Sequence, residues 1–223
     1  MEQHRVIIDS IGKVTHDVIR IVTSKTIDLV FTPGQATEIS LKTIEWEEER
    51  RPFTFTCLPD DNYFEFIIKT YPERNGVTNQ LLHLNKGDEL ILHAAFGAIA
   101  YKGDGIFIAG GAGVTPFISI FRYLNSVNKI GNNKLIFSNK TKSDIILEEE
   151  FKSILGVNFI NILSEEKVEG YAHGQITREF IKANVPDINQ RFYLCGPPPM
   201  MVAVEKQLAE LHVNQKSIIK EAF

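Results

Sequence analysis

The fold turns on one stretch, Ile106-Phe107-Ile108-Ala109-Gly110-Gly111-Ala112-Gly113-Val114-Thr115-Pro116-Phe117. Its apolar start reads as a buried strand that runs into a glycine loop and then into a helix. Thr115 suits the N-cap of that helix and Pro116 its first position. Glycines let a backbone approach a phosphate closely, and a helix N-terminus offers N–H groups and a partial positive charge. The stretch reads either as a dinucleotide cradle built from Gly111, Ala112, Gly113, Val114 and Thr115 or as a tight turn without a ligand.

Outward toward the C-terminus, the same order of strand, loop and helix repeats. Leu135-Ile136-Phe137, Phe159-Ile160-Asn161-Ile162 and Phe192-Tyr193-Leu194 read as further buried parallel strands. Amphipathic stretches at 116–127, 148–155, 177–184 and 200–211 alternate with them, which predicts a doubly wound parallel α/β domain. In such a sheet ligands bind beyond the carboxyl ends of the strands, near the switch point. A second loop has the same design: Phe192-Tyr193-Leu194-Cys195-Gly196-Pro197-Pro198-Pro199-Met200-Met201. Glycine and three prolines fix the turn and hold Cys195 at the carboxyl edge. The competing reading of Cys195 is a buried structural thiol.

Toward the N-terminus the pattern changes near Tyr101-Lys102-Gly103-Asp104. Short β-favouring runs, such as Val18–Val22, Ala36–Leu41, Phe64–Lys69 and Glu89–Leu92, alternate with turns at Pro33-Gly34, Pro59–Asn62 and Lys86–Asp88. That spacing predicts an antiparallel β-barrel with a short helix at Thr78 to Leu84. The expected domains are 1–102 and 103–223.

Composition narrows the functional classes. Lys and Arg number 24 against 28 Asp and Glu, a net charge of −4, so a broad basic face for nucleic acid is not expected. No apolar run approaches the roughly 18 residues that span a bilayer. Met1–Arg5 lacks the basic-then-apolar order of a secretory signal, so a cytoplasmic location is expected. Cys57 and Cys195 are too few for an iron–sulfur cluster and lack metal-ligand spacing.

Taken together, Gly-Gly-Ala-Gly-Val-Thr-Pro at 110–116 and Cys-Gly-Pro-Pro-Pro-Met at 195–200 resemble the nicotinamide-binding half of the ferredoxin–NADP reductase superfamily. The likeness is greatest to the branch of cytochrome reductases and flavohaemoglobin reductase domains, and it runs through nearly the whole chain. Arg51-Pro52-Phe53-Thr54 is similar to the family flavin motif. By that resemblance Arg51 pairs with the flavin phosphate, Phe53 packs against the isoalloxazine, and Thr54 hydrogen-bonds near N5. Gly76, Val77, Thr78 and Asn79 fall where the family opens a short helix on the flavin phosphate. The family places Ser or Thr where Asn79 stands, and Thr where Ala112 stands. The loss of one hydroxyl contact at Ala112 is worth about 0.5–1.5 kcal/mol. The ending Glu221-Ala222-Phe223 resembles the family terminus, whose final ring covers the flavin face that nicotinamide must occupy.

The resemblance implies a flavoprotein oxidoreductase. FAD, or FMN in its place, would take hydride from NADPH or NADH and pass electrons to a one-electron carrier such as ferredoxin, flavodoxin or a cytochrome. Cys195, Gly196 and Pro197 would meet the nicotinamide, with Cys195, Glu221 and Thr54 lining the hydride-transfer site. Alternatives are an electron-transfer or redox-sensing subunit of a larger complex and a free-flavin or quinone reductase. Lys140 and Lys142, after the second parallel strand, lean the dinucleotide toward NADPH. Arg50, Arg51, Arg74 and Lys69 are the candidates for a local basic docking face.

Overall fold

A computed structural model describes residues 3–43 and 45–221. Two compact units emerge, one of Met1–Ala100 with Thr115–Tyr123, the other of Tyr101–Val114 with Leu124–Phe223.

The first unit carries β1 (His4–Lys13), β2 (Val18–Ser24), β3 (Ala36–Leu41), β4 (Arg51–Thr54), β5 (Tyr63–Lys69), α1 (Val77–Gln80) and β6 (Glu89–Phe96). The strands pair antiparallel in the order β4-β3-β6-β1-β2-β5. Just past β4, the Thr56 N–H donates to the Glu65 carbonyl in β5 at 2.9 Å, which curls the sheet back on itself as a barrel. Alternating residues fill the interior, with Val6 and Ile8 from β1 and Leu90 and Leu92 from β6 among them. Phe31 and Phe55 stack there at 4.1 Å. The helix expected at 78–84 begins one residue earlier and tightens into a 3₁₀ turn at Leu81–His83. Val77 and Leu81 are both fully buried, and this short element is held by those two anchors rather than by its own ladder.

The second unit carries β7 (Gly105–Gly110), β8 (Lys134–Asn139), α3 (Glu148–Leu155), β9 (Phe159–Leu163), β10 (Ala172–His173), α4 (Arg178–Asn184), β11 (Arg191–Cys195), α5 (Pro198–Glu210) and β12 (Ile218–Lys220). Its sheet is parallel in the order β10-β9-β8-β7-β11-β12. The chain steps one way from β7 to β8 and later returns to β7's other side as β11. The switch point therefore lies between β7 and β11. Helix α2 (Thr115–Ser126) follows β7, and its first nine residues belong to the barrel unit.

One local expectation is corrected. Thr115 is the first residue of α2 and not its N-cap, because Gly111–Val114 winds into a 3₁₀ turn that leads directly into the helix. Among the described residues, no helix is long and apolar enough to cross a membrane.

Candidate functional site: two loops at a switch point and an edge strand of the barrel

In the parallel unit, the loops after β7 and β11 leave from paired strand ends, with Ala109 opposite Cys195. They press together where glycines leave no side chain. A Cβ at Gly113 would lie 2.3 Å from the Cys195 carbonyl oxygen, and one at Gly110 would lie 2.4 Å from Met200 Sδ. Gly111 takes a left-handed backbone, φ +50°, with open space where its side chain would be. The packed side of the loop thus excludes side chains, and the open side leaves room for a phosphate to meet backbone amides. Gly111, Ala112 and Gly113 are partly exposed, while Val114 is buried. These features fit a dinucleotide pyrophosphate.

Cys195 ends β11 with 8% of its surface exposed. Burial, with the nearby Glu221 charge adding to it, pushes its thiol up to about 12. At neutral pH it is an uncharged thiol. The β11–β12 register, Leu194 opposite Lys220, brings Glu221 alongside Cys195 at the next step. Phe223 lies outside the described residues.

Farther along the same edge of this sheet, a cleft of about 560 Å³ is lined by Thr141, Lys142, Ser143, Glu148 and Glu166. The loop after β8 is locked by Thr141 and Asp144, whose side chains cap each other's backbone. Glu166 accepts from the Lys142 N–H at 2.7 Å, and the Lys142 ammonium lies 5.4 Å over the Tyr171 ring. Tyr171 donates to Glu148, and Lys140 pairs with Glu165 at 3.0 Å. Both lysines that favoured a 2′-phosphate are therefore already engaged. Asn139, at the end of β8, is buried with both side-chain amide atoms lacking a partner among the described residues. A lone Asn closing an apolar run was the only sequence signal for it.

In the barrel unit, β4 is the edge strand that presents Arg51–Thr54. Arg51 and Pro52 are exposed, and Phe53 packs half-buried against the barrel core. Arg51 holds Glu49 at 3.2 Å and donates to the Arg50 carbonyl at 2.6 Å. The Thr115 hydroxyl donates to the Thr54 hydroxyl at 3.3 Å, so these two sequence-read residues do meet. Gly76 precedes α1 with an extended backbone and no side-chain cap, and open space surrounds it. The amides of Val77 and Thr78 lie ahead of the helical ladder, where they suit an anion. An exposed guanidinium, a half-buried ring and two hydroxyls on one edge suit a flavin with its phosphate.

Sequence reasoning missed Glu65, Ser119 and Arg122. Arg122 donates to Glu65 Oε1 at 2.5 Å and to the Thr56 carbonyl at 2.9 Å, and Ser119 Oγ accepts from the Gly34 N–H at 3.0 Å. The basic docking candidates are each matched by an acid: Arg50 by Glu38 and Glu48, Arg51 by Glu49, Arg74 by Glu73, and Lys69 by Asp17.

Residues 107–206 match the family described as oxidoreductase NAD-binding domain. The reductase component of propane 2-monooxygenase from Mycolicibacterium goodii is 31% identical over 214 residues, covering 86% of this chain. This chain spans 59% of that protein's length. NADH-cytochrome b5 reductase 1 of Coccidioides immitis (strain RS) is 28% identical, with 92% of this chain and 69% of that protein covered. A ferredoxin NADP+ reductase from Neisseria gonorrhoeae, solved with bound FAD and NADP, shares the fold at a TM-score of 0.84 and 18% identity. That likeness covers 99% of this chain and 98% of the other. Residues 107–206 thus form an oxidoreductase NAD-binding domain, and the chain shares its fold with that reductase.

Proposed function

We propose that this chain is a flavin-dependent NAD(P)H oxidoreductase that hands electrons singly to a protein acceptor. The observation that carries the reading is the pair of loops pressed together at the β7/β11 switch point, with a buried, uncharged Cys195 at their contact. FAD, when bound, supplies the step between two-electron and one-electron chemistry.

The remaining work falls to the chain's own residues. Arg51, with the amides of Val77 and Thr78, holds the flavin phosphate, and Thr78 or Asn79 adds a side-chain contact. Phe53 flanks the ring system, and Thr54 hydrogen-bonds at its reacting edge. Gly111 to Thr115 receive the dinucleotide pyrophosphate. Cys195, Gly196 and Pro197 shape the nicotinamide pocket, and the neutral thiol excludes water without taking or giving a proton. Glu221 lines that pocket from the C-terminal side. On this reading residues 1–102 serve the flavin and 103–223 the nicotinamide.

NADH is the favoured donor. Glu148 and Glu166 line the cleft beyond β8, while Lys140 and Lys142 are engaged elsewhere, so a 2′-phosphate there would meet carboxylates. Matched charges around Arg50, Arg51, Arg74 and Lys69 favour a cytochrome-like or oxygenase-component acceptor over strongly acidic ferredoxin or flavodoxin. The names of the relatives point the same way. The FAD-reconstituted protein, given NADH or NADPH, should reduce cytochrome c catalytically, faster with NADH. Turnover with neither nucleotide, toward cytochrome c, ferredoxin or flavodoxin, would overturn the reading.

A further inference from the structure

Glu65 is the only carboxylate among the described residues that is fully buried. It stands in β5 between Phe64 and Phe66, both also buried. Three groups converge on it. Arg20, from the neighbouring β2, reaches Oε2 through Nε at 2.5 Å. Thr56 Oγ1 donates to Oε1 at 2.8 Å, and Arg122 donates to the same oxygen at 2.5 Å. Burial pushes the carboxyl upward, but the two guanidiniums and the Thr56 hydroxyl overcome this and hold it below the usual carboxylate range.

The Arg122 contact belongs to a pattern along α2. Thr115, Ser119 and Arg122 stand at i, i+4 and i+7, so they share one helix face. Each reaches a different part of the barrel: Thr54 Oγ1, the Gly34 N–H, and Glu65 with the Thr56 carbonyl. The face that seats α2 on the barrel is thus polar at each of these points. Apolar packing would hold a helix as well, but it tolerates sliding and rotation, because it has no direction. Buried polar partners define one setting, and their best-attested use is to fix register. Arg122 lies about 10 Å along the helix axis from Thr115. An anchor at that distance sets both the rotation and the axial position of the first turn. The contact it governs, 3.3 Å between two hydroxyls, has little slack.

We propose that Glu65 is a positioning residue for the flavin edge: through Arg122 it sets α2 so that the Thr115 hydroxyl stays on Thr54. This inference rests on the reading of Thr54 as the flavin-edge hydroxyl, while the anchoring itself does not depend on any bound group.

The test uses the full chain with and without FAD and compares the wild type with E65Q, T115V, the double variant and R122K. Without flavin, amide hydrogen exchange over Phe117–Tyr123 should rise in E65Q and R122K. Exchange unchanged from wild type in both would remove the anchor. With FAD, E65Q should slow flavin reduction by NADH about tenfold or more while FAD affinity stays within about twofold, since small misplacements cost rate before binding. The double variant should be no slower than the slower single variant, because both changes break one linkage. Reduction at the wild-type rate in E65Q, or effects that multiply in the double variant, would overturn the positioning role. If E65Q does not fold, R122K carries the same comparison, since the lysine nitrogen ends one bond short of Nη1, the atom that donates to both Glu65 and the Thr56 carbonyl. A wild-type protein that takes up no FAD would instead refute the functional reading, and the exchange result would still decide the anchor.

Discussion

The two proposed binding regions are built on opposite principles. At the β7/β11 switch point, the parallel unit forms its site by leaving side chains out. Gly113 lets two loops touch through backbone, Gly110 and Gly196 make room for Met200, and Gly111 opens the remaining side. On the barrel, the proposed flavin edge is made of side chains: Arg51, Phe53 and Thr54 on an edge strand, with Thr115 brought to it by a helix that reaches Glu65 through Arg122. A site made of absences is rigid and local, whereas a site made of side chains depends on partners far away in sequence. Arg122 and Glu65 are 57 positions apart.

The comparison breaks most visibly at Glu65. Removing one partner of a buried ion pair leaves a charge uncompensated, so Glu65→Ala should lower stability by about 3–5 kcal/mol in chemical denaturation. The sign with pH follows from its lowered folded pKa. Glu65 adds stability above the ordinary value of 4.5, and this is lost as pH falls through 4.5 toward the folded value. Urea midpoints of wild type and E65Q should therefore converge as the solution is acidified. A gap that stays constant from neutral pH to pH ~3 would mean that Glu65 does not carry its charge in the fold.

Gly113→Ala probes the other principle. A Cβ 2.3 Å from the Cys195 carbonyl oxygen forces backbone apart. A loss of about 1–3 kcal/mol in thermal unfolding is expected, with weaker NADH binding and FAD affinity unchanged. Wild-type nucleotide affinity in this variant would contradict the tight loop contact as the basis of the site.

Cys195→Ala should slow flavin reduction about tenfold, near 1.4 kcal/mol in the barrier, with FAD still bound. Stopped-flow rates equal to wild type would take Cys195 out of the mechanism. Because burial raises both thiols to about 12 from an ordinary 9.0, their neutral forms stabilise the fold below pH 9.0. That contribution fades as pH climbs toward about 12. Iodoacetamide at neutral pH should accordingly label neither thiol in the folded protein.

The smallest expected effect concerns the nucleotide. Glu166→Arg should move the kcat/KM ratio toward NADPH by up to about fivefold, the scale of one exposed charge contact. No change, or a shift toward NADH, would place the 2′ position of the dinucleotide elsewhere.

The same contrast explains what was legible in the sequence. The parallel strands and the glycine loops could be read directly, since a fully buried strand is a continuous apolar run and a glycine loop advertises itself by composition. β1 escaped notice: in His4–Lys13 only Val6 and Ile8 are buried, Ile7 is exposed, and a bulge between Ile8 and Ser10 interrupts the alternation. β12, three residues long, is defined by its partner β11 more than by its own pattern. Glu65 between two phenylalanines reads as the solvent side of an alternating strand. It is buried because α2 supplies Arg122, and no local spacing encodes that. Thr115 has the composition of an N-cap but is the first residue of α2, because the 3₁₀ turn ahead of it runs directly into the helix. Lys140 and Lys142 looked available for a phosphate because their acidic and aromatic neighbours, Glu165 and Tyr171, come from beyond the next strand.

The central claim is that one chain binds FAD at the barrel edge and lets a nicotinamide dinucleotide reduce it. The most direct measurement is an anaerobic titration of the FAD-reconstituted protein with NADH, followed through the visible flavin absorbance. FAD should be retained through gel filtration, and its absorbance should bleach in a saturable, near-stoichiometric way, faster with NADH than with NADPH. A protein that retains FAD but is bleached by neither nucleotide, or that does not retain FAD at all, would contradict it.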